Sequence, residues 1–172
     1  GTSYAQFVQD EILTPLGMAH TRFPLGAFPG GSFARAYVNG APRPQEFVNT
    51  LAAGGAYSTA GDVGRIAMML LGNGAVGKAR ILSAASVAAM AEDQTAGSFD
   101  PVRNESFAFG LGWDTVAQPG LAAVGFDGWA KGGDSNDYGA ALVVSPQAQL
   151  GIVVLTVTGG GSSRAIATAA SS

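Results

Sequence analysis

Two apolar runs, Tyr138 to Val144 and Leu150 to Val157, stand on either side of Ser145-Pro146-Gln147. Proline fixes its own φ near the value that a turn requires, and Ser favours the position before it. Runs separated by so short a turn pair most simply as an antiparallel hairpin. A hairpin alone is marginal in water, so these strands require further strands or a covering layer of helix. This requirement constrains the rest of the chain more than any other feature.

The preceding sequence offers that layer. Ser3 reads as a helix cap, with Gln6 three residues later completing a capping box. Tyr4, Phe7, Val8 and Ile12 follow at helical spacing, and Pro15 is expected to stop the helix. Leu16 to Ala53 is loop-like, with short extended pieces such as Ala34 to Asn39. Thr59 caps a second expected helix, with Asp62 in the first turn where the helix dipole favours negative charge. Its buried stripe is Val63, Ile66, Ala67 and Leu70, and Gly72-Asn73-Gly74 ends it. Ser83 starts a third helix carrying Val87 and Met90. Beyond Asp100 the pattern turns to strands, with Phe107 to Trp113 and Leu121 to Phe126 expected before the hairpin. Gly159-Gly160-Gly161 leads into a final Ala-rich helix near Ser162. Helices, then a meander of strands, then a helix make an α+β fold: an antiparallel sheet with packed helices.

Composition excludes several classes of function. The 172 residues suit one domain or a large part of one, and 47% hydrophobic residues supply its core. Net charge is −3 with scattered basic residues, which argues against nucleic acid as a partner. No apolar stretch reaches the roughly 18 residues of a membrane span. Zero cysteines exclude disulfides and thiolate sites, and the single His20 rules out a His-rich metal cluster.

Lys131-Gly132-Gly133-Asp134 is the segment with the most chemical content: a lysine followed by two residues without Cβ, at the start of a strand. Together with Pro15-Leu16-Gly17-Met18 and Thr21, Ala53-Gly54-Gly55 with Ser58-Thr59-Ala60 and Asp62, and Gly110-Leu111-Gly112-Trp113, it resembles the class C β-lactamase-like serine hydrolases and penicillin-binding D-peptidases. Four stretches match in the family's order across nearly the whole chain. The resemblance implies acyl transfer through a serine ester, without a cofactor, on a small-molecule acyl substrate. It implies that Lys131 sits beside the nucleophile and that Gly132 and Gly133 let the substrate approach the strand. The backbone N–H of Asp134 would be one oxyanion donor. Where the family carries a hydroxyl residue, Gly132 stands here, which turns the expectation from β-lactams toward esters or D-peptides.

The nucleophile is missing from these residues. Its motif would be Ser-x-x-Lys, but the residues three places before Lys78 and Lys131 are Ala75 and Gly128. Residues 1–172 are therefore expected to form the C-terminal segment of a larger hydrolase domain, inactive alone, with the serine upstream of Gly1. A non-catalytic binding or sensing domain on the same fold is the alternative. A truncated segment would also expose sheet edge and half-core, favouring self-association. Family resemblance suggests a periplasmic or secreted location.

Other candidates read as structural. Tyr37-Val38-Asn39 matches the Tyr-x-Asn of the family's second motif, but it follows rather than precedes the first helix, so Tyr37 reads as a strand aromatic against the core. Ser135-Asn136-Asp137 reads as a turn. Ser58 has no visible base and adjoins the capping Thr59. His20 lacks an acidic or serine partner at a recognisable spacing. Trp113 and Trp129 are read as buried area before cleft lining.

Overall fold

The computed structural model describes residues 1–24, 26–28, 32–102 and 104–157. The first helical run begins at α1 (Tyr4–Val8), passes through a π-helical turn (Gln9–Leu13) and ends in α2 (Thr14–Leu16). The Ser3 hydroxyl accepts the Gln6 N–H at 3.2 Å, as a cap should. The expected box is only half formed, because the Gln6 amide donates to Asp10 at 2.9 Å. Pro15 is accommodated within α2, and the helix stops instead at Gly17, whose φ of +68° supplies the left-handed C-terminal turn.

A small hairpin follows, β1 (Tyr37–Val38) against β2 (Ala41–Pro42). Asn39-Gly40 turns it with φ of +51° and +79°, the left-handed pair that tight hairpins need. Tyr37 is 62% exposed, contrary to the expected core role, because among the described residues no layer covers this two-residue strand.

Helix α3 (Ala60–Leu71) is capped by Thr59, whose hydroxyl accepts the Asp62 N–H at 3.2 Å. It buries Ala67, Met69 and Leu70, with Val63 and Ile66 only partly covered. A short ribbon, β3 (Ala75–Val76) with β4 (Ala79–Arg80), leads to α4 (Ala84–Ala91), capped by Ser83 as expected.

The next two strand expectations fail. Phe107 to Trp113 is irregular, with one bridge between Gly110 and Trp113. Gly110 lies so close to the Met90 carbonyl oxygen that a Cβ would collide with it, and the chain bends there to pass α4. A small pairing, β5 (Phe99–Asp100) with β6 (Glu105–Ser106), lies just upstream. Leu121 to Phe126 is not a strand but overlaps helix α5 (Pro119–Ala123). The Gln118 side chain accepts the Leu121 N–H at 2.7 Å and Pro119 opens the first turn, so local capping overrides the apolar run.

The central sheet is β7 (Trp129–Asp134), β8 (Gly139–Ser145) and β9 (Leu150–Thr156), antiparallel throughout in that order. The hairpin read from sequence is β8–β9, with Leu142 opposite Val153 and Ser145 opposite Leu150. Strand β8 is covered on both faces, which explains its unbroken apolar sequence. Val144 joins Leu13, Leu16, Met18, Ala67, Leu70, Val87, Trp113 and Trp129 in the main core. Ala141 and Val143 pack with Leu121 of α5 on the other face. Burying each such aliphatic side chain contributes about 1.5–3 kcal/mol. Gly151 of β9 lies under Ala67, where an added Cβ would come within 2.9 Å, so α3 can sit close on the sheet. This is the α+β architecture expected, with the Lys131 segment on the outer strand of the three. The final helix expected near Ser162 lies outside the described residues. Among the described residues, no helix is long and apolar enough to cross a membrane, and no group of three or more His, Asp or Glu could hold a metal ion.

Candidate active-site wall

The lysine segment follows Trp129 on β7, which packs against Trp113. Trp113 and Trp129 are both buried, with ring centroids 5.5 Å apart. That contact brings the residues after Trp113 alongside β7. Asp114 and Thr115 both donate N–H to the Ala130 carbonyl, at 3.0 and 3.2 Å, and the Ala130 N–H donates to Thr115 at 2.9 Å. The Gly132 N–H then donates to the Asp114 carboxylate at 2.7 Å. The N–H groups of Ala130 and Gly132 thus face outward, away from β8. Alternation along a strand turns the Asp134 N–H to the same edge.

Lys131 donates through Nζ to Asp114 at 3.0 Å and to the Gly132 carbonyl. The lysine side chain is 49% exposed and the aspartate 31%, so the pair lies at the rim of the strand. Of the four expected site residues, the Lys131 ammonium, Gly132 and the Asp134 amide reach this outer edge. Gly133 is one register step away, opposite Ala140. Among the described residues, a Cβ on Gly133 would meet only the Ala140 Cβ at 3.7 Å, ordinary contact, so their packing does not demand glycine there.

Beyond Asp134 the chain turns through Ser135, Asn136 and Asp137, as the sequence implied. Glu46 holds this turn. Its carboxylate accepts the Ser135 hydroxyl at 2.7 Å, the Asn136 N–H at 3.3 Å and the Asn136 side-chain amide at 3.1 Å. Burial opposes ionisation of Glu46, but these hydrogen bonds, with one from the Asp137 backbone, outweigh it and lower its pKa. Arg43 pairs with the largely buried Asp137 at 3.3 Å, so two residues of the 41–46 segment grip the same turn. Tyr57 donates to the Glu46 carbonyl at 2.9 Å and packs edge-on to Tyr138 at 5.6 Å. Burial, and then the neighbouring Tyr138, push the Tyr57 phenol up to about 12, so it stays a donor through the neutral range.

A second polar cluster ties the first helical run to α3. The Asp62 carboxylate, 5% exposed, accepts the His20 N–H and the Thr21 hydroxyl, both at 2.8 Å. His20 Nδ1 lies 3.8 Å from the same carboxylate, so His20 does have an acidic neighbour, one that its sequence position hides. The Ser58 hydroxyl shares a 2.7 Å hydrogen bond with Thr21. Ser58 is engaged here with hydroxyl and carbonyl oxygen, a structural role.

Two residues beside the site were not singled out from sequence, Asp114 and Glu46. Asp114 carried a signal, an acid directly after Gly110-Leu111-Gly112-Trp113, masked by reading that stretch as a strand. Glu46 carried none.

A family model described as Beta-lactamase matches residues 1–171. A human protein called beta-lactamase-like 1 is 31% identical over 154 residues, covering 88% of this chain and 29% of its own length. The octameric penicillin-binding protein homologue from Pyrococcus abyssi superposes with a TM-score of 0.73 at 21% identity, over 99% of this chain and 37% of its own. The class C beta-lactamase from Rhodobacter sphaeroides gives 0.69 at 19% identity, over 99% of this chain and 54% of its own. The chain therefore spans less than a third of the human relative and about 37% to 54% of these two solved structures.

Proposed function

The chain belongs to the beta-lactamase family, and from that premise we propose that it is the C-terminal segment of a serine hydrolase domain working through an acyl-serine intermediate. The observation that carries the reading is the outer edge of β7, where Lys131 Nζ and the Gly132 N–H meet and to which the Asp134 N–H also turns. In the whole protein a serine from outside this chain attacks the substrate carbonyl and its proton passes to a neighbouring base. Negative charge grows on the carbonyl oxygen, and the Asp134 N–H is aimed at it as one donor of the oxyanion hole. Expulsion of the alcohol or amine leaves the acyl-serine, which water then hydrolyses. Lys131 stands beside the nucleophile. Gly132 and Gly133 keep the strand low enough for substrate to lie against it, which suits a Gly133 that packing among the described residues does not require.

The reading covers β-lactam, D-amino-acid peptide and ester substrates. Gly132 offers no hydroxyl to a substrate carboxylate, so esters and D-peptides are favoured over β-lactams. Turnover of a nitrophenyl ester and of nitrocefin by the full-length protein tests this: the ester should be the faster, and faster nitrocefin turnover overturns the preference. The segment alone is inactive in this account, because residues 1–172 hold no Ser-x-x-Lys.

A binding or sensing domain without catalysis is the second reading. Its support is that Asp114 already occupies both Lys131 and the Gly132 N–H. Self-association of the isolated chain is a further expectation, supported by exposed Tyr4, Phe7, Phe99 and Phe109 and by the octameric state of the Pyrococcus homologue.

A further inference from the structure

We propose that Asp114 selects substrate by charge, admitting neutral or cationic acyl substrates and turning away those with a carboxylate beside Lys131. The inference rests on the reading of β7 as a catalytic wall and names the substrate class of that same site.

A surface ion pair is ordinarily loose, because both side chains can swing away. The contacts among the described residues hold Asp114 at three points. Its own N–H is held by the Ala130 carbonyl at 3.0 Å. One carboxylate oxygen takes the Gly132 N–H at 2.7 Å, and the other takes Lys131 Nζ at 3.0 Å. Rotating the carboxylate out to make room for another anion would strip the Gly132 N–H of its acceptor. An incoming carboxylate at hydrogen-bond distance from Lys131 would then lie within a few ångströms of a second, immobile carboxylate. Like charges so placed repel, which offsets the pull of the Lys131 ammonium on an incoming anion. Gly132, which has no hydroxyl, offers such a group no compensating bond. A neutral ester meets no repulsion, and a substrate ammonium would gain attraction to Asp114. Asp114 touches no reacting atom in this account; it acts through Lys131 and through the local field.

The test uses the full-length protein and two esters of matched size, neutral p-nitrophenyl butyrate and the anionic mono-p-nitrophenyl ester of glutarate. The wild type should favour the neutral ester in kcat/KM. Asp114→Asn should reduce that preference roughly tenfold or more, through a gain on the anionic ester, since removing a like charge relieves repulsion. Asp114→Ser, which keeps a short acceptor for the Gly132 N–H, should act in the same direction. Added salt should raise the wild-type rate on the anionic ester relative to the neutral one, a readout that needs no variant and that lost packing would not move. An unchanged preference in both variants, or a salt-independent ratio in the wild type, overturns the selection by Asp114 and leaves the hydrolase reading standing. Hydrolysis of neither ester by the wild type overturns that reading, and this inference falls with it.

Discussion

The Glu46 carboxylate accepts the Ser135 hydroxyl at 2.7 Å across 89 positions of sequence, joining the loop after the first hairpin to the turn that ends the lysine strand. The same carboxylate binds Asn136 twice, so one acid anchors the backbone immediately beyond the Asp134 N–H.

Replacing Glu46 by Gln should therefore destabilise the fold by about 1 kcal/mol at neutral pH, the scale of a partly exposed charge-assisted hydrogen bond. The native pKa of Glu46 lies below its ordinary value of 4.5. A carboxylate depressed in the folded state contributes stability that is fully present above the ordinary value. That contribution disappears as pH falls through the depressed one. Urea denaturation of wild type and E46Q should differ at pH 7 and converge in acid below the ordinary carboxylate range. A difference that persists undiminished in acid would show that the charge is not what holds the turn.

Asp62→Ala should be the more damaging change. It leaves the His20 N–H and the Thr21 hydroxyl without their acceptor in a site where the carboxylate is 5% exposed. Leaving the buried Thr21 donor and the part-buried His20 N–H unmet costs about 1–3 kcal/mol, with a further share for the lost negative charge near the helix N-terminus. A thermal melt reads this directly, and a midpoint within a degree of wild type would contradict it. Thr21→Val, which removes one of the two bonds and the contact with Ser58, should fall between them.

Gly110→Ala addresses the Gly-Leu-Gly-Trp segment. Its Cβ would collide with the Met90 carbonyl oxygen and the Val116 side chain, so α4 and the strand-edge segment must separate. Overpacking of this kind costs about 1–3 kcal/mol. Because Trp113 follows three residues later against Trp129, near-ultraviolet circular dichroism of the indoles should change along with stability. An unaltered indole signal in a fully stable variant would mean that Gly110 does not set the approach.

Much of the architecture was legible because it is written in local chemistry. Ser3, Thr59 and Ser83 each cap a helix through their own hydroxyl within three residues, and the Ser145-Pro146 turn sits between its two strands. The misreadings arose where a local cap or a tertiary contact overruled the apolar pattern. Leu121 is apolar like a strand residue, but it packs against Gly128, where an added Cβ would run into the Leu121 side chain, from a helix that Gln118 caps. Phe107 to Trp113 alternates plausibly, yet Gly110 must skirt the end of α4. The site was half legible for the same reason. Lys131-Gly132-Gly133-Asp134 is contiguous and visible, whereas Asp114 reaches it from 17 positions away and Glu46 reaches its turn from 89. No short-range spacing encodes either contact.

The most direct test of the account is intact mass after treatment with a fluorophosphonate, run on residues 1–172 and on the full-length protein side by side. The account predicts no adduct on residues 1–172 and one adduct on the full-length protein, mapping to the serine of a Ser-x-x-Lys motif outside them. A stoichiometric adduct on any serine within residues 1–172, or none on the full-length protein, would contradict it.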